Sequence, residues 1–411
     1  MAGSFMRIGS FSLLSWGKGN DAYTRTPRGF RIDPRFEYNK KSEKWQVIEG
    51  HERDIFETTA PLNTVISRFA DMFSGGRFVH KRMNGTADGE IIDDSEIVTL
   101  LENPNPLQSG EEWLKELVIN YFVFGNNVIL PRRIAGTPYL INNLPWNQIE
   151  IKTTGKRWEQ SKIKGIIEEY RVKYDIGTDD IFKGDEVIHL RRSGGKSAII
   201  GESVLNQLHM EISNTRGAMG FRNVNINEHG ALGAWVNKAT DSIGSRAMGT
   251  EEQLNIEKQL TKTHGIHDGQ ARLKLIPNHV EWESTAFPIK ESMLFEEVDA
   301  NKRAMIDAVG FNENMFSKPN GSKFDNLNAG IRSGYENAIF PFANNVCQKL
   351  KNGLLLPNNE WLELEYSHLP IFKENEKEKA ETSKVKAEAY KSFIDAGIDP
   401  TEARMLSGID G

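Results

Sequence analysis

Apolar residues recur along this chain at helical and strand spacing, and that pattern sets out most of its elements. Leu62, Val65, Ile66 and Phe69 stand at i, i+3, i+4 and i+7, which predicts a helix over Ile55–Phe73 with one buried face and Pro61 in its first turn. Gly75 and Gly76 end it, Arg77–Met83 reads as a strand, and Glu96–Glu102 as a short helix stopped before Pro104 and Pro106. Ser109 and Glu112 have capping-box spacing and open a helix with Leu114, Leu117, Val118, Tyr121 and Phe122 on one face. Gly125 suits the position after its last turn, and Asn126 and Asn127 lead into a strand over Val128–Arg132. Tyr139–Asn142, Gln148–Thr153, Ile166–Tyr174 and Glu186–Leu190 read as further strands, so Pro61–Leu190 is expected to be α+β.

The second half alternates long helices with a small insertion. Glu202–Val224 predicts a long helix with a loose apolar stripe, and its Gly217 and Gly220 cost about 1 kcal/mol each unless helices or DNA approach closely there. A Gly-rich strand (Gly230–Val236), a helix (Glu251–His264) and a strand pair around Leu273–Ile276 and Val280–Glu283 form a small α/β insertion. Ile289–Val309 is amphipathic: Leu294, Val298, Met305 and Val309 share one face, and Glu296, Asp299, Arg303 and Asp307 the other. A polar loop is expected over Gly310–Lys323, followed by a helix over Phe324–Leu350 whose stripe runs from Leu327 to Leu350. Pro341 should kink that helix by removing the bond to the Asn337 carbonyl. Trp361–Tyr366 alternates as a strand, residues 373–396 form a highly charged helix, and Thr401–Leu406 starts a short last one. Residues 1–50 are Gly-, Ser- and Arg-rich with little periodicity; an arm on a neighbouring subunit and simple disorder fit them about equally.

Composition narrows the classes. A chain of 411 residues suggests about two to three compact units. An apolar fraction of 38% with 36 glycines fits an elongated protein with much exposed or subunit-facing surface. The formal net charge of −6 argues against a protein that grips duplex DNA, because such affinity comes from cations neutralising phosphates. It suits ordinary solubility, or a mildly repulsive wall along which a duplex slides. The single cysteine, Cys347, excludes an intrachain disulfide and fits assembly in a reducing cytoplasm. No apolar run reaches the roughly 18 residues of a membrane span, and the N-terminus lacks a signal-peptide layout.

Catalytic motifs are weak. Ser193–Ser197 (SGGKS) invites a phosphate-loop reading, but Leu190 stands where that loop needs its first glycine. His264 and His267, with His279 nearby, have spacing for a shared metal but no Cys or second acidic ligand suitably placed. Glu296, Glu297 and Asp299 could serve a nuclease metal, yet they lie on the polar face of a helix. No catalytic residue, cofactor or metal site is therefore expected.

Four short segments, in a fixed order, carry a resemblance. Leu100-Leu101-Glu102-Asn103-Pro104-Asn105, Gly125-Asn126-Asn127-Val128-Ile129, Val187-Ile188-His189-Leu190-Arg191 and Gly201-Glu202-Ser203-Val204-Leu205 follow one another as in the portal proteins of tailed bacteriophages, which this chain resembles over roughly residues 55–370. The resemblance implies an α+β portal-like fold: an N-terminal arm (1–54), the first part of a wing (55–200), stem helix 1 (201–228), a clip (229–285), stem helix 2 (286–309), a tunnel loop (310–323), a kinked helix with the rest of the wing (324–370) and a helical crown (371–411). It implies a ring, usually of about twelve subunits, at one capsid vertex: a passive, non-enzymatic channel for double-stranded DNA during packaging and ejection. The implied partners are other copies of the chain, the large terminase, the major capsid protein, and later the head-completion adaptor and tail proteins, with no membrane. Within that frame Asn312, Glu313, Asn314, Lys318, Asn320 and Lys323 belong to the tunnel loop, and Glu296, Asp299, Arg303 and Asp307 line the channel. The family often starts its tunnel loop with G-V-P-P; here it is Gly310-Phe311-Asn312-Glu313, which leaves open which residues touch DNA. The alternatives are an enzyme acting on nucleic acid, either a motor ATPase or a metal nuclease, and another head–tail adaptor of the virion.

Overall fold

The computed structural model describes residues 24–25, 31–32, 35–39, 44–48, 50–84, 89–154, 166–174, 177–193, 197, 199–227, 233–237, 240–241, 244–245, 249–251, 254–255, 280–284, 294–316, 324–396, 400 and 404. In chain order it begins with β1 (Thr24–Arg25), β2 (Arg31–Ile32), β3 (Phe36–Asn39), β4 (Lys44–Val47), α1 (Glu52–Thr58), α2 (Ala60–Ser74), β5 (Arg77–Arg82), β6 (Glu90–Ile91), α3 (Glu96–Glu102) and α4 (Gly110–Val123). It continues with β7 (Asn126–Ile134), β8 (Thr137–Leu144), β9 (Ile149–Thr153), β10 (Ile167–Val172), β11 (Asp180–Lys183), β12 (Ile188–Arg191), α5 (Val204–Gln207) and α6 (His209–Asn227). Then come β13 (Gly233–Asn237), β14 (Thr240–Asp241), β15 (Gly244–Ser245), β16 (Val280–Ser284), α7 (Leu294–Val309), α8 (Phe324–Gly334), α9 (Phe340–Gly353), β17 (Glu360–Glu365) and α10 (Pro370–Asp395). Among the described residues no helix is long and apolar enough to cross a membrane.

The chain divides into two compact units, residues 1–63 with 205–305 and residues 64–204 with 306–411, and each crossing falls inside a helix. In the first unit β3 and β4 form a hairpin, so part of the aperiodic N-terminal segment is ordered. Its Trp45 ring stacks on His209 at 5.9 Å, its Val47 N–H donates to Asn206 Oδ1 at 2.9 Å, and Phe36 is buried. These residues gave no signal because the hairpin packs through a few rings instead of a repeating stripe. Within the expected insertion, β16 pairs with β13 in antiparallel register, and its expected partner Leu273–Ile276 lies outside the described residues. Most of the expected helix Glu251–His264 lies outside them too.

The second unit holds three three-stranded sheets, in the orders β17-β5-β6, β12-β7-β8 and β11-β10-β9. The predicted stripe of α2 is buried throughout, with Leu62, Val65, Ile66 and Phe69 at most 1% exposed; each such side chain contributes about 1.5–3 kcal/mol. Phe69 and Phe73 meet Phe342 of α9 edge-on, at 5.5 and 4.9 Å, and Phe69 meets Phe122 of α4 at 4.9 Å. Val128, Leu130, Leu144, Tyr170, Val172, Phe182 and Val187 form a second core between the two sheets built from β7–β12. The capping box of Ser109 and Glu112 is formed, and Gly125 has φ +73°.

Several elements depart from expectation. The helix expected over Ile55–Phe73 is two helices, broken at Thr59; Pro61 has no N–H to give the Glu57 carbonyl and restricts the residue before it. The helix expected over Glu202–Val224 is likewise α5 and α6, with a turn at Leu208. Strand β11 was not foreseen: Asp180–Lys183 offers one buried ring, Phe182, beside an exposed Ile181, too short for an alternation to register. The helix expected over Phe324–Leu350 runs on through Pro341, and the answer to the proline's missing donor lies in the turn before it. That turn, Tyr335–Ile339, widens to π geometry, with the Phe340 N–H reaching the Tyr335 carbonyl five residues back. The extra residue in the turn absorbs the donor that Pro341 lacks.

Candidate nucleic-acid interface

The two long helices of the first unit, α6 and α7, are neighbours. Asn214 Nδ2 donates to Glu297 Oε1 at 3.1 Å, and the Arg222 guanidinium lies over the Phe295 ring at 5.9 Å. Going forward along α6 from Asn214 to Arg222 means going back along α7 from Glu297 to Phe295, so the pair is antiparallel. On α7 the residues Asn301, Met305, Ile306 and Val309 are buried, while Glu296, Asp299, Arg303 and Asp307 are all exposed. The amphipathic period thus separates the two faces as the sequence suggests, except that Asn301 joins the buried one.

Helix α7 ends in a Schellman motif. Gly310, at φ +84°, donates its N–H to the Asp307 carbonyl at 2.9 Å, and the Phe311 N–H reaches the Ile306 carbonyl at 3.1 Å. The segment after it corrects the expected open polar loop. Asn312 caps a 3₁₀ turn over Glu313–Met315, its Oδ1 accepting from the Asn314 N–H at 2.9 Å. Phe311, Met315 and Phe316 are buried, and Phe311 stacks on Phe69 at 5.2 Å. Gly334 of α8 faces Met315 so closely that a methyl there would sit 2.7 Å from its sulfur. Asn312 is exposed, whereas Glu313 and Asn314 are half-buried. The missed signal was the apolar spacing of Phe311, Met315 and Phe316 within a segment polar overall. Lys318, Asn320 and Lys323 lie outside the described residues.

Three of the four segments that carried the resemblance converge in the second unit. Gly125 and Gly201 touch backbone to backbone: a methyl on Gly201 would stand 2.0 Å from the Gly125 carbonyl oxygen. That oxygen accepts the Arg192 N–H at 2.8 Å, and Gly201 N–H donates to Asn126 Oδ1 at 2.7 Å. Asn126 is fully buried, and its Nδ2 also reaches the carbonyls of Phe124 and Gly201 at 2.9 and 3.2 Å. Ser203 Oγ donates to the Val123 carbonyl. The junction therefore seats the start of α5 on the end of α4. The fourth segment fastens elsewhere: the Pro104 carbonyl accepts the Ile141 N–H at 2.7 Å, tying the turn after α3 to β8.

His189 completes the junction. Its Nε2 lies 3.1 Å from Asn126 Oδ1 and its Nδ1 3.1 Å from the Tyr170 hydroxyl. Asn126 Oδ1 only accepts, so Nε2 carries the proton and Tyr170 donates to Nδ1. Burial, reinforced by Arg191 and Lys349, pushes His189 down to about 4, and burial raises Tyr170 above its ordinary value. A base neutral in the fold makes stability fall as pH drops below the unfolded pKa near 6.5, because the unfolded chain takes up the proton first. The expected loss between pH 7 and pH 5 is about 2 kcal/mol, reached by urea denaturation, with His189→Gln flattening that dependence; equal slopes in both proteins would refute it.

Other chemistry-bearing groups are structural. Ser95, His80 and Glu360 line up as hydroxyl, imidazole and carboxylate, 2.8 and 3.3 Å apart. Ser95 Oγ, however, is the N-cap acceptor of α3, taking the Val98 N–H at 3.3 Å, and all three side chains are buried. The array staples α3 to the β5–β17 ladder. Cys347 is buried, and burial pushes its thiol up to about 12. Among the described residues no three His, Cys, Asp or Glu side chains gather around a metal-sized space. His264, His267, His279 and residues 194–196 of the SGGKS segment lie outside the described residues.

Comparison with known proteins gives one family. The phage portal protein family matches residues 64–408. An uncharacterized protein of Rickettsia felis is 21% identical over 270 residues, covering 64% of this chain and 66% of that one, so the chain spans just under two thirds of that relative. Among solved structures, the neck of an empty GTA particle computed with C6 symmetry superposes with a TM-score of 0.55 at 15% identity, covering 88% of this chain and 94% of the other. The neck of a native GTA particle computed with C12 symmetry gives a TM-score of 0.54 at 15% identity, covering 87% and 93%. At that identity the likeness is one of fold.

Proposed function

The chain belongs to the phage portal protein family, and from that premise we propose that it assembles into a ring of about twelve copies at one capsid vertex, as a passive channel for double-stranded DNA. The observation that carries the reading beyond the family is the α6–α7 pair. On α7 Asn301, Met305, Ile306 and Val309 are buried, and Glu296, Asp299, Arg303 and Asp307 are exposed. Repeated around a ring, three carboxylates and one guanidinium per copy make a mildly negative wall that resists phosphate adhesion, so a duplex slides. In this reading α5–α6 and α7 are the stem, the insertion between them the clip, the β-rich unit the wing, and α10 the crown.

The tunnel loop then begins beyond Phe316. Asn312, Glu313 and Asn314 belong to its folded base, and Lys318, Asn320 and Lys323 make brief phosphate contacts, few per copy and easily broken. The clip receives the large terminase during packaging and the head-completion adaptor and tail proteins afterwards, and the wing meets the major capsid protein. Assembly takes place in the bacterial cytoplasm, and the mature ring resides in the virion. Hydrolysis belongs to the terminase.

Native mass spectrometry with negative-stain imaging of the purified protein is the test. A stalked ring of about twelve copies with a central hole is expected; a monomer or dimer across assembly conditions would sink the proposal.

A further inference from the structure

Two leucines of the second unit stand in solvent, and the backbone holds each of them there. Leu107 is 92% and Leu355 64% exposed. A lone exposed leucine is ordinary when its loop can swing it elsewhere, but these two loops are pinned. In the turn between α3 and α4 the Leu107 N–H donates to Asn105 Oδ1 at 3.0 Å, while Asn105 Nδ2 reaches Gln108 Oε1 at 3.0 Å and the Ile141 carbonyl of β8 at 3.3 Å. Leu355 occupies the position just past the end of α9, at φ +62°, where glycine is the usual residue. The Leu354 N–H reaches the Leu350 carbonyl at 2.7 Å and the Leu356 N–H the Lys351 carbonyl at 3.1 Å, and both flanking leucines are buried. A leucine held in a strained conformation and left exposed within one copy points to a contact outside that copy.

The two leucines lie on opposite flanks of the unit. Helix α9 packs on β17 and β12, each an edge strand of its sheet, and a methyl on its Gly353 would stand 2.1 Å from Ile188 Cγ1 of β12. Helix α3 packs on β5 and β8, and β8 is the other edge of the β12 sheet; β6, the strand before α3, is the other edge of the β17 sheet. The charges of the flanks are unlike. The α9 flank carries Arg191 and Lys349, both exposed and both close enough to His189 to disfavour its protonation. The α3 flank carries Glu90, Asp93, Asp94, Glu96 and Glu102, all exposed. Among the described residues none of these charges has an ion-pair partner. Arg82, opposite Glu90 in the ladder, is held by Glu360 at 2.7 Å. Asp185, exposed as well, sits in the turn at the end of β12 away from Arg191.

We propose that the α9 flank of one copy seats on the α3 flank of the next, with Leu355 and Leu107 as its apolar anchors and Arg191 and Lys349 facing the carboxylates. Unlike surfaces on opposite flanks of one body make a head-to-tail contact, the kind that closes into a ring instead of stopping at a pair. The charge match selects a second copy as the occupant, and the closed ring rests on the portal reading above. Each anchor is fixed before contact, so little freedom is lost when it is buried.

The test uses the full-length protein, with dissociation followed by native mass spectrometry across dilution and the fold by urea denaturation at low concentration. Leu355→Gly relieves the backbone and removes the anchor. It should raise the subunit dissociation constant at least about tenfold, with a urea midpoint level with or above that of the wild type. Leu107→Ser should weaken assembly to the same degree, about tenfold, at an unchanged midpoint. Arg191→Glu with Lys349→Glu should weaken it about tenfold, and adding Asp93→Lys with Glu102→Lys should return it to within about threefold of wild type. A lowered midpoint for Leu355→Gly means that the leucine packs within its own copy and overturns the proposal. Unchanged assembly in either leucine variant, or no return in the four-charge variant, overturns it too. Wild-type rings indifferent to these substitutions would remove this contact and leave the ring standing. Open chains or dimers that the substitutions dissolve would keep the contact and remove the ring; a wild type monomeric at every concentration removes both.

Discussion

Gly201→Ala is expected to cost the folded state more than about 4 kcal/mol. The added carbon would stand 2.0 Å from the Gly125 carbonyl oxygen, 2.7 Å from the Arg192 nitrogen and 2.9 Å from the Arg192 oxygen. All three are backbone atoms, so no rotamer change makes room. Separating them would break the bonds that hold the start of α5, including Gly201 N–H to Asn126 Oδ1 at 2.7 Å. With Asn126 buried, its amide would lose partners that water cannot replace. Gly217→Ala is the control: nothing lies within 4 Å of the position its methyl would take, so helix propensity alone predicts a gain of about 1 kcal/mol. Soluble yield and urea midpoints measure both. A Gly201→Ala protein with a wild-type midpoint would show that the two glycines do not touch.

Reversing two charges on α7 should produce the largest functional effect. Glu296 and Asp299 are exposed, and among the described residues neither forms an ion pair, so Glu296→Lys with Asp299→Lys should change stability by no more than about 0.5 kcal/mol and leave rings intact. The double reversal adds about four positive charges per copy, which around a ring converts a repulsive wall into one that condenses on phosphates. DNA packaged per particle is expected to fall at least about tenfold, and the purified rings should bind duplex with affinity that collapses between low and moderate salt. Normal packaging by intact variant rings would mean that this face does not meet DNA.

Much of the fold was legible in the residues. The α2 stripe, the capping box of α4 and the turn at Gly125 depend on side chains within one or two turns of each other, so periodicity and local chemistry reveal them. The exposed strip of α7 was legible for the same reason. The break at Thr59 needed closer attention to what Pro61 denies the preceding turn, and the π turn before Pro341 is a second answer to the same missing donor. The folded base after α7 escaped notice because its polar residues outnumber Phe311, Met315 and Phe316, although those three decide where it packs.

The amino-acid sequence by itself determined which segments are helices or strands, which faces are apolar, where the caps fall and to which family the segment order points. Those properties arise between neighbours a few residues apart. Only the tertiary structure decided that Gly125, Asn126, His189 and Gly201 form one junction, and that Asn301 turns inward on α7. Such groups are separated by tens of residues in the chain, and a buried polar atom reveals its role only when the partner brought to it by folding is known.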